Sequence, residues 1–246
     1  MADFHRQDLN GSRFSFTDLT GSVFRDTDFS RSTMRGVELR DVSIDGDVHN
    51  LVINGVDVVP LIEAELDRRD PDRARMRPDT ADGFRVAWDI VEQRWAGTVE
   101  RARQLPPEQL HESVDGEWSF IETLRHMIFV ADSWVLRAIL GDPTPWDALS
   151  LPWDGMPDTP EVPRDRSARP SLDEVLAVRH DRMATVRRVI DGLTSETLAA
   201  DTTPVEGPGW PLPRAYPVRK CLLIVLNEEW HHRLFAERDL AVLFGR

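Results

Sequence analysis

The chain has 246 residues, 41% apolar and 30% charged, which excludes wholesale disorder and suits one or two globular domains. Its 30 basic side chains against 43 acidic ones leave a net charge of −13, which excludes the basic footprint that nucleic-acid phosphates demand. No apolar run approaches the roughly 20 residues of a membrane span, Met1–Asn10 carries no apolar signal region, and the single Cys221 excludes a disulfide framework or a thiolate-built zinc site.

A cytoplasmic setting is therefore expected, with neither nucleic acid nor membrane as a partner and a homodimer left open. Of the basic residues only Lys220 is a lysine, a codon bias that points to a high-GC bacterial genome.

The first stretch repeats. Phe4, Leu9, Phe14, Leu19, Phe24, Phe29, Met34, Leu39 and Ile44 stand five apart, and small residues such as Ala2, Ser12, Thr17, Ser22, Thr27 and Ser32 mostly stand two before them. A period of five fits neither a helix nor a strand. The pattern resembles the pentapeptide repeats, and that resemblance implies a right-handed quadrilateral β-helix with both residue sets pointing inward. Nine repeats make little more than two coils, so a structural cap docked on the next domain is the expected role.

Residues 47–81 read as a bridge. Leu51, Ile53 and Val56 suit a last strand around an Asn54-Gly55 turn, Pro60–Arg69 a short helix, and Asp70–Thr80 a charged linker. The expected organisation is a β-helix over 1–58, a helix and linker over 59–81, and a helical domain over 82–246.

From residue 81 the period becomes helical. Asp82 is placed to N-cap a helix reaching about Gln104, with Phe84, Trp88, Val91, Trp95 and Val99 as its stripe. Ser119 with Glu122, and Ser171 with Glu174, form capping boxes that open helices to about Leu140 and Asp191. Pro217 suits the first turn of a last helix ending near Phe244. Four long helices predict a four-helix bundle. The proline-rich connections 141–170 and 201–217 carry Trp146, Trp153 and Trp210, and are expected to be ordered, with these tryptophans either walling a site or pinning the loops to the bundle. Trp118 and Trp134 are expected in the core.

Chemistry concentrates on the last helix. Glu228 and His232 are four apart and share a face, so both can reach one metal ion or form a plain helical pair. His126 stands near the edge of the apolar face of the second long helix and can complete a three-ligand set. His231 lies one residue off that face and reads as a surface or supporting histidine. Cys221, with five apolar residues after it, reads as a buried, inert thiol rather than a nucleophile.

Glu117-Trp-Ser-Phe-Ile-Glu-Thr-Leu-Arg-His126, the Pro/Trp-rich crossover and Asn227-Glu-Glu-Trp-His-His232-Arg resemble the DinB/YfiT-like superfamily, in its DinB_2-type branch, over about residues 82–244. The resemblance implies a four-helix bundle, so the fold class expected is α+β in two parts, a short β-helix followed by a DinB-like bundle. It also implies a divalent metal on His126, Glu228 and His232, with zinc first and nickel, iron or manganese as further candidates. The superfamily includes thiol S-transferases and an isomerase that use mycothiol or bacillithiol. By resemblance the expected function is therefore S-transfer or isomerisation, with mycothiol or a similar low-molecular-weight thiol acting on a small electrophile. A metal-binding relative without that activity, and an interaction module built on the repeat array, are the alternatives.

Overall fold

The computed structural model describes residues 3–25 and 27–246, so the expectation for Ala2 lies outside the described residues. The chain divides into two compact units, residues 1–48 and 49–246.

In the first unit the five-residue period appears as turns. Arg6, Gly11, Phe16, Gly21, Arg31, Gly36, Asp41 and Gly46 all have positive φ, so among the described residues the chain corners in step with the five-residue period. Glycine fills half of these positions because it alone adopts this region without strain from a Cβ. Asp8, Asp18 and Asp28 each accept the backbone N–H two residues on, at 2.8–3.0 Å, the Asx turn that a short carboxylate favours. Serines 12, 22 and 32 close the neighbouring turns with backbone bonds to Leu9, Leu19 and Phe29.

This corrects part of the sequence expectation. No strand occurs among the described residues of this unit, and a quadrilateral β-helix is not shown. The nine large side chains expected to point inward are 45–66% exposed. The physical reason is that such residues are buried where strands of successive coils stack on one another, and no strand forms among the described residues of this unit.

The second unit opens with a hairpin, β1 (Val52–Ile53) paired antiparallel with β2 (Val56–Asp57), turned by Asn54-Gly55 as the dipeptide predicts. Helix α1 (Val59–Arg69) has its proline near the start. The expected linker contains α2 (Pro71–Arg75) instead, N-capped by Asp70 and tied to the bundle by Arg94, which donates to Asp70 at 2.9 Å and to Asp72.

Four long helices form the bundle: α3 (Ala81–Ala102), α4 (Phe120–Ala131), α5 (Leu172–Asp191) and, after the short α6 (Ser195–Ala199), α7 (Val218–Phe244). Helices α3 and α4 each pack on both α5 and α7. Phe84, Trp88, Val91 and Trp95 of α3 are buried as their spacing predicts. Its N-cap is Thr80, not Asp82. Thr80 has the extended backbone of a cap and its hydroxyl accepts the Gly83 N–H, which leaves Asp82 in the first turn. Both capping boxes form.

Helix α4 does not run straight to Leu140. Residues 132–137 form a π-helical turn, where Ala138 N–H bonds to the Ser133 carbonyl five residues back at 3.1 Å. Polar groups buried there explain the widening. The Asp132 carboxylate accepts from Ser150 Oγ at 2.5 Å and Arg182 Nε at 2.6 Å, and Arg137 donates to the carbonyls of Pro143, Val205 and Gly207. Burial pushes the Asp132 carboxyl above its ordinary range, against those hydrogen bonds. These contacts pin both proline-rich connections to the helices, and Ser150, Leu151 and Met156 of the first are buried. Among the described residues no helix is long and apolar enough to cross a membrane.

Candidate metal centre

His126 is carried by α4, Glu228 and His232 by α7, and the packing of those helices brings one ligand atom from each within 4.8 Å of the others. Glu228 Oε2 lies 3.1 Å from His232 Nε2, the (i, i+4) neighbour, and 3.6 Å from His126 Nε2 across the interface. His126 is buried, whereas Glu228 and His232 are partly exposed. The set is thus anchored inside the bundle and open on one side.

The crossover sets the tautomer of His126. Its Nδ1 lies 2.9 Å from the Leu151 carbonyl oxygen. A carbonyl only accepts, so Nδ1 carries the proton and Nε2 presents a lone pair. Leu151 is held by a return bond, its N–H donating to the Arg125 carbonyl at 3.2 Å. The Arg125 guanidinium ties down the same crossover through the carbonyls of Leu149 and Asp165.

That tautomer makes the centre fit a cation. The His126 lone pair faces a carboxylate oxygen, acceptor against acceptor. Protonating His126 would relieve the opposition, but burial pushes its pKa down. Two imidazole nitrogens and one carboxylate are the donor set that a divalent ion of zinc type takes, with positions left for other ligands.

Aromatic rings cover the centre. Trp118 stacks parallel on His232, centroids 5.7 Å apart, and tilts over His126 at 4.6 Å. The sequence reading placed Trp118 in the core; it is half-buried against the two histidines. No helical spacing relates the two, because Trp118 precedes the Ser119 cap and lies outside α4. Phe129 also stacks on His126, at 5.9 Å. The loop tryptophans lie one layer further out: Trp146 and Trp153 meet Phe129, and Trp210 meets Trp153. Trp134 is packed against the core as expected. His231 turns toward Phe235 rather than into the triad.

Cys221 shares the helix but not the site. It is fully buried with Ala138 and Tyr216, and burial pushes its thiol up to about 11. Cys221→Ala is expected to keep metal content unchanged, and the native chain is expected to resist iodoacetamide at pH 8 until denatured. Rapid stoichiometric labelling of the folded chain would contradict this assignment.

The geometry defines a class: four-helix bundles that present a histidine from one long helix to a glutamate–histidine pair on the last. The chain belongs to the DinB superfamily, whose profile matches residues 90–236. Residues 2–44 match eight copies of the pentapeptide repeat. Neither a curated protein nor a solved structure gives a significant match.

Proposed function

We propose that the chain is a divalent-metal-dependent enzyme that joins a low-molecular-weight thiol, of mycothiol type, to a small electrophile or uses it to isomerise one. The observation that carries this reading is the neutral, lone-pair-bearing His126 held against the Glu228 carboxylate, which favours a bound cation. When bound, a divalent ion supplies the Lewis acidity that deprotonates a thiol at neutral pH. The protein supplies no nucleophilic sulfur of its own, since Cys221 is buried and inert, so the thiol must come from solution.

His126, Glu228 and His232 hold the centre with one negative charge, leaving net positive charge to attract a thiolate. Trp118 and Phe129 exclude water on the buried sides and leave the exposed flank of Glu228 and His232 for reactants. In transfer, a sulfur–carbon bond forms and the leaving group departs with the electron pair. In isomerisation, sulfur adds and is later expelled. Zinc suits these ligands best, and nickel, iron or manganese would serve the same geometry.

The test is thiol consumption by the metal-loaded chain, with mycothiol or bacillithiol and a panel of small electrophiles. Acceleration over the uncatalysed rate is expected, with loss on Glu228→Gln. No acceleration with any thiol, while metal remains bound, would overturn the thiol chemistry. The exposed apolar ladder of the repeat unit favours a second role, in which that unit binds another protein.

A further inference from the structure

The crossover that orients His126 also builds a small pocket. Leu151, Pro152, Trp153, Asp154, Arg164 and Arg166 line it, so the residue whose carbonyl fixes the His126 tautomer forms one wall. Both arginines have donors to spare. Arg164 gives Nη2 to the carbonyls of Met156 and Pro157, each at 2.6 Å, and pairs through Nη1 with Asp158 at 3.3 Å, but its Nε is buried with no acceptor. Native proteins rarely leave a buried donor unpaired, and such an atom calls for an explanation. Arg166 pairs with Asp154 through Nη2 and reaches the Pro152 carbonyl with the same nitrogen at 3.4 Å. Among the described residues nothing accepts from its Nε or Nη1.

Arg166 also stands next to the triad. Its guanidinium carbon lies 5.7 Å from the centre of the Trp118 ring, the ring that covers both histidines. One indole therefore separates this cation from the metal ligands. We infer that the pocket binds a carboxylate carried by the small molecule whose reactive end reaches His126, Glu228 and His232. The inference rests on the thiol-and-metal reading above. A carboxylate suits the planar fork of a guanidinium, which it meets with two parallel hydrogen bonds. Asp154 shows that this fork accepts a carboxylate in place. Its half-exposed side chain is an internal occupant that an incoming carboxylate displaces.

The zinc-loaded full chain, titrated by calorimetry with 6-mercaptohexanoate and 6-mercaptohexanol, tests this. The two probes share sulfur and chain length and differ in the terminal charge. The carboxylate probe is expected to bind at least about tenfold more tightly, the scale of a charge-assisted hydrogen bond. Arg166→Gln is expected to erase that excess and spare the alcohol probe. Asp154→Asn is expected to enlarge the excess by removing the internal competitor. Equal affinity for both probes, or an excess that survives Arg166→Gln, would overturn the carboxylate site and leave the thiol reading standing. An equal loss for both probes in Arg166→Gln would show that Arg166 acts only by supporting Trp118, which also overturns it. Failure of both probes to bind the zinc-loaded chain would overturn the thiol reading and this inference together.

Discussion

Replacing His126 by alanine is expected to lower bound divalent metal from one ion per chain to background while the helical bundle stays folded. Among the described residues His126 is the candidate ligand that α4 contributes, and it is the buried one of the three. Without it, two partly exposed side chains on α7 remain, and water supplies the rest of the coordination. Losing a mere supporting hydrogen bond to a ligand costs about 10–100-fold in metal affinity, and losing the ligand itself is expected to cost more. Elemental analysis of the purified variant, with circular dichroism as the check on folding, measures the outcome. Full occupancy in His126→Ala would show that the ion, if present, sits elsewhere.

The second large effect falls on the next residue along α7. Glu229 points the other way from Glu228 and is nearly fully buried, accepting from Arg179 Nη1 and Nη2 at 3.1 and 2.6 Å. Arg179 is equally buried and its guanidinium lies over Trp95 at 4.6 Å. Glu229→Ala strands a buried cation, and breaking such a pair costs about 3–5 kcal/mol. Urea unfolding of the metal-free chain should show a loss of that size for Glu229→Ala. Glu228→Ala, in a partly exposed position, should lose far less stability and all of the metal. Replacing Arg179 and Glu229 together by methionine and leucine is expected to recover most of the loss, because no uncompensated charge remains. A cost below about 1 kcal/mol for Glu229→Ala would contradict the role given to this pair, since that is the range of exposed ion pairs.

Adjacent glutamates with opposite duties show how far the sequence could be read. Glu228 is legible because His232 follows it by four, a relation within one helix. Glu229 carries no such signal, since its partner Arg179 lies on α5 and no local spacing relates them. Trp118 was misplaced for a related reason. It precedes the Ser119 cap, where helical periodicity gives out, and only the approach of α7 sets His232 beneath its ring. Asp82 is the cap that residue type suggests, and the extended backbone at Thr80 gives that role to Thr80 instead. The π-helical turn follows from a carboxylate on α4 that bonds Ser150 in the crossover and Arg182 on α5, neither of which helical spacing can reveal.

What the chain determines by itself is whatever repeats or pairs over short distances. The five-residue corners of the array, the two capping boxes, the apolar stripe of α3 and the Glu228–His232 pair all depend on neighbours within one or two turns. Such neighbours interact through backbone geometry alone, so residue type and spacing suffice to place them. The tertiary structure decided the rest: that α4 lies against α7 so that His126 meets the pair, that Leu151 returns from a proline-rich crossover to set its tautomer, and that Arg166 stands over Trp118. It also decided that the repeat array leaves its large side chains exposed. These outcomes depend on packing between segments far apart in the chain, where burial and hydrogen-bond satisfaction are settled jointly and no local pattern records the result.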